Sequence, residues 1–242
     1  MTNLSARRGR LAGLLLWLSL LLAGRAAGQY YDRPYYEPFS ARFAYAGVAA
    51  MDFAPRPANT VSDSLAIRFT SLMPMIGIRQ GLVDITFGYT RFDQKGATRP
   101  AVFLGTTMAT EFLLTGRTES ALLFPLLLAA DFTRADAGGA QRDNFNTGSV
   151  GIGGGLRYRT RADALEFTVS VVQCVHFSFE GFSTSAGSSF ATAGEAVVHW
   201  NGVLVGDGIV VGYRFRLQTW SMRNAASDYR SFFHGPFFGV MF

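Results

Sequence analysis

Alternation with period two recurs along nearly the whole chain beyond residue 40, and it leaves few folds open. Leu165, Phe167, Val169, Val171, Val175, Phe177 and Phe179 share one parity, against Glu166, Thr168, Ser170, Cys174, His176 and Ser178 on the other. Ile209, Val211, Tyr213, Phe215 and Leu217 oppose Gly212, Arg214, Arg216 and Gln218, and Val83, Ile85, Phe87 and Tyr89 oppose Asp84, Thr86, Gly88 and Thr90. Such spacing is that of strands with two chemically different faces. No 3.6-residue periodicity competes with it. The pattern predicts ten strands, at 42–53, 64–78, 82–93, 99–114, 118–132, 145–159, 164–180, 190–205, 208–222 and 229–242.

The connections alternate in length. Arg79–Gly81, Thr115–Arg117, Thr160–Asp163 and Gly206–Asp207 are short; Ala54–Asp63, Asp93–Thr98, Thr133–Asn144, Gly181–Ser189 and Arg223–Asp228 are longer. Short turns at one end and long loops at the other describe an antiparallel up-and-down meander. A soluble sandwich also alternates, but its strands run to about 5–6 residues, whereas these are long enough to cross a bilayer at a tilt. Phe and Leu crowd the apolar parity of nearly every strand. The other parity holds Asp52, Arg68, Asp84, Glu111, Glu119, Asp131, Arg157, Arg159, Glu166, Glu195, His199, Arg214 and Arg216. The expected fold is therefore all-β: a transmembrane up-and-down barrel over residues 40–242, with apolar side chains toward lipid and charges inside.

Residues 1–28 fit a secretory signal peptide: Arg7, Arg8 and Arg10, then an apolar run from Leu11 to Ala23, then Ala26-Ala27-Gly28. The run is shorter than the roughly 20 residues of a spanning helix, so cleavage is expected and an uncleaved anchor is the alternative. These residues also explain the basic character. Four of the 22 Lys and Arg lie there with no acid, leaving 18 basic against 17 acidic residues. Nucleic acid is therefore not an expected partner. Cys174 is the single cysteine, so no internal disulfide holds the fold. Residues 29–39, QYYDRPYYEPF, do not alternate and read as a Tyr/Pro-rich periplasmic lead-in.

The chain ends with Phe238, Val240 and Phe242 at alternate positions. With the leader and the ten strands, this resembles the small outer-membrane β-barrel proteins of Gram-negative bacteria and their C-terminal insertion signal. The resemblance implies a bacterial outer-membrane location with periplasmic termini and extracellular long loops. It also implies outer-membrane lipids as surroundings, and assembly by periplasmic chaperones and the barrel-insertion machinery.

Candidate chemistry is sparse. Gly151-Ile152-Gly153-Gly154-Gly155 sits within a strand, where glycines relieve crowding in a curved wall; a nucleotide loop needs a helix after it. His176, His199 and His234 lack metal-ligand spacing, and no cofactor or metal is expected. His176-Phe177-Ser178 is similar in spacing to the lipid A deacylases, with Glu180 or Glu195 to orient the histidine. It departs from them at Phe179-Glu180-Gly181, and its parity points inward. The expectation is of no catalysis. The interior charges Arg68, Asp84, Glu111, Arg157, Arg159, Glu166, Glu195, Arg214 and Arg216 read as an ion-pair network that plugs the lumen, with a narrow polar pore as the alternative. The role expected is structural or surface-interacting, toward an extracellular ligand the sequence does not name.

Overall fold

The structure is a computed structural model that describes residues 42–57, 59, 66–117, 119–136, 144–181, 186–203, 207–223 and 225–242. Residues 1–28, the expected signal peptide, and 29–39, the expected lead-in, lie outside the described residues. Ten strands follow one another: β1 Arg42–Pro55, β2 Phe69–Gln80, β3 Val83–Gln94, β4 Ala97–Gly116, β5 Ser120–Ala135, β6 Phe145–Ala162, β7 Leu165–Glu180, β8 Ala186–Asn201, β9 Gly208–Met222 and β10 Tyr229–Met241. Each pairs antiparallel with the next, and β1 pairs with β10 from Phe43↔Met241 to Pro55↔Tyr229, closing the barrel. Closure removes the free sheet edges that hydrocarbon does not tolerate. The end holding Arg42 and Phe242 is the terminal end here; the opposite one is the loop end.

The expected rhythm of connections holds with two corrections. Between β3 and β4, the expected long loop 93–98 is a two-residue turn, Lys95-Gly96, with φ of 52° and 74°. Two successive positive φ values match the twist of the flanking strands, and Thr98 Oγ1 donates to Asp93 Oδ1 across the turn (2.9 Å). The polar run Asp93-Gln94-Lys95-Gly96 thus continues the hairpin. Between β8 and β9, the expected turn 206–207 spans 202–207, because β8 runs Ala186–Asn201 rather than 190–205 and so ends four residues earlier. Its Gly- and Ser-rich start is strand because it is paired on both sides, Gly187 with Ser178 of β7 and Met222 of β9.

Parity decides which side chain meets which medium. The outer wall is studded with Leu72, Ile76, Phe87, Leu104, Leu126, Ile152, Val175, Phe177, Val211 and Phe238, all exposed. This is the surface of a wall that crosses a membrane. The interior is filled and divides in two. The loop-end half holds an apolar cluster that includes Met51, Phe53, Phe69, Met73, Phe92, Phe145, Trp220 and Tyr229. Phe69 and Phe92 stack with centroids 4.0 Å apart, and Phe53 stacks on Tyr229 at 4.9 Å. The terminal half holds the charges, beside a smaller group of Phe43, Tyr45, Val197, Val210, Phe237 and Met241.

The glycines of β6 do what the strand reading requires. A Cβ on Gly151, Gly153 or Gly155 would lie 2.2–2.3 Å or less from a backbone or sulfur atom of β7. Gly151 faces His176 and Gly153 faces Cys174 across the ladder, so the missing side chains make room for these two residues in the lumen.

Candidate functional site

The interior charges assemble around Arg79. It stands at the end of β2, directly opposite Asp84 of β3 across the tight turn at Gly81. Its Nε and Nη2 donate to Asp84 Oδ2 (3.1 and 2.5 Å), while Nη1 and Nη2 reach Glu195 on β8 (2.8 and 2.7 Å). One guanidinium therefore ties two strands on one side of the barrel to a strand on the far side. Arg214, opposite Glu195 on β9, donates to Tyr45 Oη (2.7 Å) and Thr86 Oγ1 (3.0 Å). It lies 3.5 Å from Asp84 and 3.9 Å from Glu195, and its guanidinium covers the rings of Tyr45 and Phe237 at 4.5 and 4.6 Å. Arg157 pairs with Glu111 and stands 3.8 Å from Glu195.

A second group lies nearer the loop end. Arg216 pairs with Asp131 and donates from Nε to Gln218 Oε1 (3.2 Å). His176 Nε2 is 3.3 Å from Asp131 Oδ2. Between the two groups and the rings of Phe103 and Phe233 is a cavity of about 120 Å³, room for several water molecules. In these two groups four arginines face four carboxylates, every side chain at most 15% exposed. Paired charge of this kind is what makes interior burial tolerable.

Six of the nine residues expected in the interior network meet in these groups, Asp84, Glu111, Arg157, Glu195, Arg214 and Arg216, joined by Asp131 and His176 of the same inward parity. Arg159 and Glu166 are also buried in the interior, closer to the terminal end. Arg68 does not belong. β2 begins at Phe69, whose ring points inward, so Arg68 is exposed and lies just before the strand. Asp52 is likewise on the outer parity of β1, accepting from Thr70 Oγ1 (3.2 Å), and Glu119 is exposed in the β4–β5 turn. Sequence reasoning missed Arg79 by assigning it to a turn. Its parity, alternating with exposed Ile76 and Ile78 and matching buried Met75, was the available signal.

His176 and Ser178 both face the interior and are buried. The Ser178 hydroxyl is hydrogen-bonded to that of Ser149 (2.8 Å), and Glu180 accepts from Ser227 Oγ (2.7 Å). Among the described residues, no group of three or more His, Cys, Asp or Glu side chains is placed to hold a metal ion. Phe238, Val240 and Phe242 point outward, each about half-exposed.

No family model matches the chain, and no curated protein matches it. Among solved structures it is similar to the outer membrane protease OmpT of Escherichia coli, with 8% identity, TM-score 0.39, and 88% of this chain and 99% of that one covered. It is similar to Neisserial surface protein A, with 14% identity, TM-score 0.32, and 83% and 97% covered. A third is Ail, the attachment invasion locus protein of Yersinia pestis, with 8% identity, TM-score 0.24, and 84% and 99% covered.

Proposed function

We propose that this chain is an integral outer-membrane barrel with a structural or surface-interaction role and a lumen closed to solutes. The observation that carries the reading is Arg79, whose guanidinium bridges Asp84 and Glu195 across the interior. Arginines and acids are matched around it, so the belt has no surplus charge to draw an ion through, and the rings above it fill the other half. The terminal end carries the turns 81–82, 117–119, 163–164 and 202–207, and the loop end carries the tight turn 95–96 with the connections 56–68, 136–144, 181–185 and 223–228. Periplasmic termini and extracellular loops follow the usual arrangement of such barrels. On this reading its partners are the lipids of that membrane, the chaperones and insertion machinery of its assembly, and a surface ligand met by the loops. His176 and Ser178 have no catalytic part, since Ser178 bonds Ser149 and a lipid chain has no direct approach to either.

Single-channel recording on residues 29–242 in a planar bilayer tests the reading. Protein shown to be inserted stays silent. Discrete, reproducible steps would establish instead the narrow pore, for which the 120 Å³ cavity beside Arg214 and Arg216 speaks; Arg214→Ala or Arg216→Ala would then alter its ion selectivity.

A further inference from the structure

The barrel wall is not equally knit all the way round. The β2–β3 ladder runs only from Gln80↔Val83 to Met75↔Gly88. Beyond it, Phe69–Pro74 of β2 pair with β1, and Tyr89–Gln94 of β3 pair with β4, but the two segments do not pair with each other. The ladder stops where Pro74 follows inward from the loop end, a residue with no N–H to give. Side chains close the gap instead. Thr90 Oγ1 donates to the Leu72 carbonyl (2.8 Å), Ser71 Oγ donates to the Arg91 carbonyl (3.1 Å), and the two hydroxyls meet at 2.6 Å. Behind them lies the apolar half of the lumen. Met73, fully buried, lies against Gly88, where a Cβ would stand 2.7 Å from its Sδ. In front, the outer wall presents exposed Leu72 and Tyr89, with exposed Arg91 donating to Tyr89 Oη (2.9 Å) and exposed Arg68 at the head of β2.

We propose that the β2–β3 seam between Pro74 and the loop end is a lateral opening in the wall, which takes the acyl chain of a single-chain anionic lipid from the surrounding leaflet while Arg91 and Arg68 hold its head. The proposal rests on the membrane-spanning reading of the wall. Unpaired strand edges at membrane depth must find partners, and two hydroxyl bridges are easier to part than a backbone ladder. Met73 is the movable element behind them: its thioether side chain adapts to irregular space at low cost. The chain that displaces it meets Phe69, Phe92 and Met75, an environment as apolar as the one it leaves. Two guanidiniums at the rim select an anionic head over a neutral one.

The test is photolabelling. The full chain is refolded into phosphatidylcholine vesicles with a diazirine-bearing palmitic acid, illuminated, and mapped by mass spectrometry. Label is expected on inward-facing Met73, Phe69 or Phe92 as well as on the outer wall. In a Cys174→Ala background, the disulfide of S71C/T90C abolishes the interior label, and reduction restores it. Exposed Arg91→Gln and Arg68→Gln, which leave packing untouched, each lower interior labelling by the fatty acid roughly fivefold, about the effect of one cation beside an anionic head, and leave labelling by the matching alcohol unchanged. An inserted barrel labelled only on outward residues, or labelled inside regardless of the disulfide, overturns the proposal. Equal labelling by acid and alcohol in wild type overturns the anionic head. A chain that fails to insert at all overturns the membrane reading with it.

Discussion

Replacing Arg79 by methionine keeps a side chain of similar reach and removes the charge that the interior is built around. The four hydrogen bonds from Arg79 go to Asp84 and Glu195, each carboxylate 11–12% exposed. Removing one partner of a buried pair costs about 3–5 kcal/mol, because a charge is left without compensation. Two carboxylates are stranded here, but Arg214 stands 3.5 Å from one and 3.9 Å from the other, and Arg157 is 3.8 Å from Glu195. Their help places Arg79→Met at the low end, about 3 kcal/mol. Adding Glu195→Gln removes one stranded charge and returns about half of that loss, a coupling of the size expected within one network. Urea unfolding in vesicles, followed by the fluorescence of buried Trp220, measures both. A single variant within about 0.5 kcal/mol of the parent, the size of an ordinary surface change, or a double variant no better than the single, would refute the account of a cross-lumen ion pair.

Three further outcomes follow from the geometry. Gly155→Ala places a Cβ 2.0 Å from the Val171 carbonyl oxygen and loses more than about 2 kcal/mol in the same assay, as overpacking against backbone does. Phe238→Arg puts a cation on the outer wall and costs about 2–4 kcal/mol in a bilayer if it lies near the midplane; its loss in detergent micelles, where the head can reach water, is smaller. Gly96→Ala asks a side chain to adopt φ of 74° in the Lys95-Gly96 turn and costs about 1 kcal/mol, with no change in the fold by circular dichroism.

What could be read from the sequence was what parity controls. Strand number, order and face followed from period two, because a membrane wall punishes any one-residue slip by turning its whole apolar set inward. Where parity lost its hold, so did the reading. Arg68 is expected inside on the strength of its charge, yet its parity is that of outward Leu72, Ile76 and Ile78, and it faces out with them. Arg79 is missed for a different reason: a residue so close to a two-residue turn reads as part of it. Lys95-Gly96 failed as a hairpin signal because lysine is an uncommon first partner for a turn needing two positive φ values. The partners of each charge were beyond reach altogether. Arg79 and Glu195 are 116 residues apart, and only the closed circle of ten strands sets them face to face.

That circle also distributes stability unevenly, which bears on where the wall can open. The terminal half is cross-linked through its interior: Arg79 joins β2 to β3 and β8, Arg157 joins β6 to β4, and Arg214 joins β9 to β1 and β3. Parting β2 from β3 there would break the contact of Arg79 with Asp84. The loop-end half is held by stacked rings and methionines, whose attractions are non-directional and survive small displacements. The missing β2–β3 ladder lies in that second half alone. Local opening should therefore begin there, since regions with few backbone hydrogen bonds open well below the global unfolding free energy. Hydrogen exchange on the inserted barrel measures this. Amides of Tyr89–Gln94 that face the seam exchange faster than those of Val83–Gly88, and Ser71→Ala widens the difference without touching the lower ladder. Uniform protection along β3 would mean that the hydroxyl bridges close the wall as firmly as a ladder does.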